Sequence, residues 1–136
     1  MIILSRPPNF EQIKATFPKA EERGVLFAYA GAIYNPSAIP VPQALIAHEE
    51  VHLMRQAIRG ADDWWDHYLT DCEFRYYEEL LAHVAEFQSL RGGGDRNFGA
   101  RLLLHTALRL VAPLYNYEPP RTVQQAIKDL RQEITK

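Results

Sequence analysis

Residues 46–54, Ile-Ala-His-Glu-Glu-Val-His-Leu-Met, set His48 and His52 four positions apart with Glu49 directly after the first histidine. On a helix, side chains four apart lie one turn above each other on the same face. Two imidazoles so placed can turn their ring nitrogens towards one point, as a tetrahedral zinc ion requires. Glu49 stands beside that point rather than at it. A carboxylate there could take a proton from a water activated by the metal and pass it to a leaving amine. That is the chemistry of metal-assisted hydrolysis. With five His and eleven Glu in the chain, chance alone would produce this spacing in roughly one such sequence in seventy.

A catalytic zinc site takes three protein ligands as a rule and keeps a fourth position open. The donors downstream are His67, Asp71, Glu73, Glu78, Glu79, His83, Glu86 and His105. A hairpin-like pass through residues 60–70 would bring the helix that begins near Asp71 back across the histidine helix. In it, Glu79 lies one turn before the small Ala82, which permits close approach of two helices. Glu78 sits nearer the apolar line of Phe74, Leu81 and Ala85, and periodicity leaves both glutamates open as the third ligand.

The elements that must position these residues follow from pattern and punctuation. Residues 9–17 predict a short helix, with Asn9 as cap and Pro18 as stop. Residues 24–36 hold two short β-branched and aromatic runs around Ala30-Gly31, a hairpin closed by Pro36. A proline-punctuated connector, 37–42, leads into a helix over about 42–59 with Pro42 in its first turn and Gly60 at its end. Its predicted inward stripe is Ala47, Val51, Met54 and Ile58. A short helix over 61–69 carries Trp64 and Trp65, and Thr70-x-x-Glu73 reads as a capping box opening a helix over 71–90. The predicted inner face of that helix is Phe74, Tyr77, Leu81, Val84 or Ala85, and Gln88. Residues 91–96 are a flexible break, 98–113 an apolar helix, 114–120 a loop, and 121–135 an amphipathic helix with Val123, Ile127, Leu130 and Ile134 inward. The expected fold is therefore α+β: one mainly helical domain over 1–136 with a small N-terminal antiparallel sheet.

Bulk properties narrow the function classes. At 136 residues, 47% apolar and 24% charged, the chain fits one globular core. A net charge of -2 and a pI near 6.2, with no basic run, argue against a nucleic-acid or membrane-surface partner. The single Cys72 excludes an internal disulfide and a cysteine-based zinc site and fits a reducing cytoplasm. The start, Met-Ile-Ile-Leu-Ser-Arg-Pro-Pro, lacks a signal-peptide core, and no segment is apolar enough to span a membrane.

The hairpin, the proline-rich connector, the His-Glu-x-x-His helix and a following helix with Glu79-x-x-Ala82 together resemble the gluzincin metallopeptidases. The run Ala32 to Gln56, with Trp64 to Leu69 and Phe74 to His83, looks like the small phage- and prophage-encoded members called minigluzincins. The resemblance covers about residues 24–90. It implies a zincin-like fold, His48, His52 and Glu79 as the ligands of one Zn²⁺ per chain, Glu49 as general base, and a peptide or protein substrate. The chain departs from larger relatives at His83, where those often carry an acidic residue after the alanine.

Several residues carry a functional expectation beside a structural one. His83 could stabilise a tetrahedral intermediate or brace a ligand, against a place at the surface or core edge. His67 and Tyr68 could line a cleft, while Trp64 and Trp65 are expected to pack the inter-helix turn. His105 is expected as a satisfied core histidine. Tyr29 or Tyr34 could belong to an edge strand that pairs with extended substrate. The glycines 92–94 read as a linker, and Cys72 has no partners for a nucleophile's role. The rival to a peptidase is a non-catalytic binding or assembly protein that keeps the scaffold, with zinc structural or absent.

Overall fold

The computed structural model describes residues 1–91 and 96–136, the side chain of Arg96 excepted. The elements run β1 (Ile2–Ile3), α1 (Phe10–Thr16), β2 (Phe27–Tyr29), β3 (Ala32–Tyr34), α2 (Gln43–Arg59), α3 (Ala61–Thr70), α4 (Cys72–Leu90), α5 (Arg96–Leu110), a 3-10 turn (Pro113–Tyr115) and α6 (Val123–Ile134). The molecule is mainly helical with one small sheet, as expected. The linker glycines 92–94 lie outside the described residues.

The hairpin forms where the turn chemistry places it. Ala30 and Gly31 both take positive φ, 46° and 90°, and Tyr29 pairs with Ala32 across them. Left-handed backbone at both central positions matches the twist of the flanking strands, and Gly31 adopts it without a Cβ penalty. The sheet is not purely antiparallel, however. β1 adds to β3 in parallel, Ile2 opposite Ile33, giving the order β1-β3-β2. Two residues carry too little pattern to announce a strand.

Helix boundaries follow the predicted punctuation closely. Gly60 ends α2 at φ 98°, a conformation strained for any L side chain. At the next boundary the cap moves by one residue. Asp71, not Thr70, caps α4, its Oδ1 accepting from the amides of Glu73 and Phe74. Thr70 instead donates back to Asp66 O, and Asn9 stands at the start of α1 without a side-chain cap bond.

Two apolar clusters form the core. One gathers Phe10 and Ile13 of α1, Phe17 just after it, Phe27 of β2, and Trp64, Trp65 and Tyr68 of α3. The other joins Tyr76, Leu80 and Phe87 of α4 to Leu103, Leu110, Ala126 and Leu130 of α5 and α6. The α2–α4 pair makes the most extensive contact between elements, yet its buried face is polar. α2 buries Ala44, His48, Glu49, His52 and Gln56, while Met54 and Ile58 are 62% and 83% exposed. Of the predicted stripe, Met54 and Ile58 thus face outwards, and Ala47 and Val51 are only half-buried. On α4, likewise, Arg75, Glu78, Glu79, His83 and Glu86 are buried, whereas Tyr77 and Gln88 are exposed. The two helices meet across titratable groups.

Candidate metal centre

α2 presents His48 and His52 one turn apart, and α4 brings Glu79 against both. His48 Nε2 lies 3.1 Å from Glu79 Oε1, and His52 Nε2 lies 2.9 Å from Glu79 Oε2. The two imidazoles each face one oxygen of the same carboxylate. All three residues are buried, and their ligand atoms lie within 4.8 Å of one another. Ligands bound at zinc distances stand about 3.4 Å apart around a tetrahedral ion, so the donor set fits a cation with little movement. Glu79 Oε1 is buried without a hydrogen bond, as are His48 Nδ1 and His52 Nδ1. A buried carboxylate oxygen without a hydrogen-bond donor suits a cation as its partner.

Charge bookkeeping across the helix seam leads to the same place. Glu49, Glu78, Glu79 and Glu86 are all buried. Glu78 is neutralised by Arg55 and receives the Trp64 Nε1–H at 2.5 Å. Glu86 takes a fork from Arg109, 2.8 Å and 3.1 Å. Neither arginine nor lysine reaches Glu49 or Glu79 among the described residues. The only cationic side chains available to these two buried carboxylates among the described residues are histidines, and buried charges are retained when paired or bound to metal. The pairing also separates the two glutamates that periodicity left open: Glu79 faces the histidines, and Glu78 is engaged elsewhere.

Burial and neighbours set the protonation states. Burial, reinforced by Glu79, pushes the Glu49 carboxyl up to about 7 against the opposing pull of His52. Burial opposes charge on His52, but Glu79 beside it raises the imidazole to about 9. The same histidines hold Glu79 well below the usual carboxylate range despite its burial. In the absence of a metal, the proton of His52 stands in for a cation between the helices.

The ligand cluster is braced from both sides. Tyr68 of α3, stacked on Trp64, donates its hydroxyl to Glu79 Oε2 at 2.8 Å. Behind His48, the His83 ring packs edge-on with centroids 4.5 Å apart. His83 is fully buried, not at a surface or core edge, and burial lowers its pKa to about 4. A neutral ring with Glu86 Oε2 3.1 Å from Nδ1 carries its proton there, so the Tyr115 hydroxyl donates to Nε2 at 3.0 Å. His48, His83 and Glu86 form a second group within ligand distance, but Glu86 already holds Arg109, and His48 Nδ1 is 3.8 Å from it.

A cleft of about 290 Å³ opens over this floor. His48, Glu49, His52 and Glu79 line one part, and Ile13, Phe17, Val25, Leu26, Leu45 and Leu114 make it largely apolar. Ala112, Leu114 and Tyr115 show that the chain after α5 forms one wall. β2, with Tyr29, is an edge strand and β3, with Tyr34, is central, but the outer side of β2 is partly occupied. Gln56 Nε2 and Trp65 Nε1 both donate to Ala28 O, at 2.9 Å and 3.0 Å, and Ala30 N donates to Gln56 Oε1.

The remaining candidates lie apart from the centre. His67 bonds Asp63 O at the surface, Asp71 caps a helix, and Glu73 pairs with Arg121. His105, expected in the core, is exposed. Cys72 is half-buried, its sulfur accepting from Glu118 N and Arg75. Tyr115, Arg109 and Arg75 escaped the sequence reading, since no local spacing announces a residue that reaches a site from a distant loop or helix.

No helix among the described residues is long and apolar enough to cross a membrane. No protein-family model matches the chain, and no curated protein or solved structure matches it significantly.

Proposed function

We propose that the chain is a small zinc-dependent peptidase of zincin-like build, hydrolysing a peptide bond held over the α2–α4 seam. The observation that carries this reading is the pairing of a buried, convergent His48–His52–Glu79 donor set with the Glu49 carboxyl at the floor of an open apolar cleft. Two imidazole nitrogens and a carboxylate suit zinc among the common divalent metals, and three ligands leave a position open. When bound, zinc supplies a Lewis acid that polarises the scissile carbonyl and lowers the pKa of the attacking water.

The protein's own groups do the rest. Glu49, buried beside the donor set and lining the cleft, is placed to accept a proton and to give it up again. It takes the water's proton as the oxygen adds to the carbonyl carbon. It then delivers that proton to the amine as the C–N bond breaks. The Tyr115 hydroxyl lines the same cleft and is the neutral donor available to the oxygen of the tetrahedral intermediate, exchanging its bond to His83. Burial and Glu79 raise its pKa well above 10, so it stays protonated. The apolar lining favours peptides with a bulky apolar side chain beside the scissile bond. The exposed mouth of the cleft, rather than a closed cavity, suits an extended segment.

A mixed peptide library incubated with zinc-loaded protein, read by mass spectrometry, tests the reading. Wild type should cut a subset rich in Leu, Ile or Phe next to the new terminus. Glu49→Gln should cut none while retaining about one zinc per chain, the expectation for one base beside three ligands. Equal cleavage by the variant, or none by the loaded wild type, refutes it.

A further inference from the structure

Arg75 lies on α4, one turn before Glu79, and is only 3% exposed. Its guanidinium meets no carboxylate among the described residues. Apart from a contact of Nη1 with Cys72 Sγ at 3.5 Å, its donors go to main-chain carbonyls: Nε to Tyr68 O at 2.8 Å, Nη2 to Leu69 O at 3.1 Å, and Nη1 to Tyr115 O and Asn116 O at 3.0 and 3.2 Å. The first two are unpaired carbonyls at the C-terminal end of α3, and the others close the 3-10 turn. Both helical ends carry partial negative charge that a buried cation offsets. The rings of Phe17 and Tyr68 lie 4.8 and 5.7 Å from the guanidinium carbon.

A buried arginine without a counter-ion is costly, and an apolar residue would fill the space more cheaply. What the arginine does that an apolar residue cannot is fix two distant backbone segments at once. Those segments carry the two tyrosines of the metal centre. Tyr68 donates to Glu79 Oε2 and Tyr115 to His83 Nε2. We propose that Arg75 is a positioning residue whose single planar fork locates the backbones of Tyr68 and Tyr115, and thereby holds both hydroxyls on the Glu79–His83 cluster. The consequence for metal affinity rests on the metal-centre reading above; the placement of the tyrosines does not.

The test uses the full-length chain carrying 3-fluorotyrosine, with fluorine resonances assigned by single Tyr→Phe replacements. Arg75→Lys keeps the cation but loses the planar fork. Arg75→Met removes both, and the lysine variant carries the test if the methionine variant does not fold. In metal-free protein, Arg75→Lys should shift or broaden the Tyr68 and Tyr115 resonances and leave Tyr29 and Tyr34 in place. Zinc affinity, measured by competition with a chromophoric chelator, should fall about 10-fold in Arg75→Lys and in Tyr68→Phe, the range for loss of a group that orients a ligand. The double variant should be no weaker than about twofold below either, because both changes remove one interaction. Unmoved Tyr68 and Tyr115 resonances, a uniform shift of all tyrosines, or multiplying losses of affinity would each overturn the proposal. If the wild type takes up no zinc, the metal-centre reading fails, and the fluorine spectra alone decide the positioning.

Discussion

Glu78→Gln and Glu79→Gln remove the same charge from adjacent buried positions, yet opposite results are expected. Glu78 is 1% exposed; one oxygen takes Arg55 and the other Trp64. A charge-assisted hydrogen bond is worth about 1.5–3 kcal/mol, but the Arg55 side chain is 37% exposed and can rehydrate. Glutamine also keeps one acceptor. The expected loss is therefore about 1–2 kcal/mol, a fall in Tm of roughly 3–8 °C for a chain of this size. Zinc at 1,000 times its Kd stabilises a protein by about 4 kcal/mol, or roughly 10–15 °C here. That rise should persist in Glu78→Gln and vanish in Glu79→Gln, which loses a ligand facing both histidines at 2.9 and 3.1 Å. Thermal melts in chelator and in excess zinc read both effects. A zinc-dependent rise kept by Glu79→Gln but lost in Glu78→Gln would refute the assignment of the third ligand.

Three further outcomes are expected. Gln56→Leu strands Ala30 N–H and removes one of two donors from Ala28 O; urea unfolding should show a loss of about 2 kcal/mol, and a change under about 0.5 kcal/mol would mean that the bridge does not hold β2. Ile58→Gln should alter stability by less than about 0.5 kcal/mol, since this side chain is 83% exposed; a larger loss would return it to the core. Without metal, the urea midpoint should fall with pH in one acidic window, below about 4.3. Between about 7 and 4 two buried groups oppose each other, so the midpoint there should change little. His83, held near 4 by burial, loses its contribution as pH falls, and Glu49, raised to about 7 by burial, gains one. Glu86 is held at about 2, burial being outweighed by His83 and Arg109, so its contribution is lost between about 4.3 and 2. Glu86→Gln should flatten this acidic window in part, Glu79 supplying the rest, and a midpoint that rises as pH falls below about 4.3 contradicts this.

The histidine pair was legible because helical spacing alone places His48 and His52 on one face. The partner was not, because the choice between Glu78 and Glu79 depends on Arg55 and Trp64, which claim Glu78 from other helices. Periodicity assigned Ala47, Val51, Met54 and Ile58 to the interior by the rule that apolar faces turn inward. That rule fails where the interior is a polar seam, and α4 repeats the failure with Arg75, Glu78, Glu79, His83 and Glu86. The terminal helix was read correctly because Ala126 and Leu130 face an ordinary apolar cluster, with Val123, Ile127 and Ile134 packed beside them. Tyr68 was visible as one of several aromatic residues, but its bond to Glu79 required the crossing of α3 and α4. Tyr115 reaches His83 across 32 residues of chain, a pairing that no local pattern encodes.

The most direct measurement is anomalous diffraction at the zinc absorption edge from crystals grown with zinc. The expected result is one peak per chain, bounded by His48 Nε2, His52 Nε2 and the Glu79 carboxylate, with the remaining position turned to Glu49 and the cleft. A peak closed by a fourth protein ligand, a peak elsewhere, or none at all would contradict the catalytic metal centre.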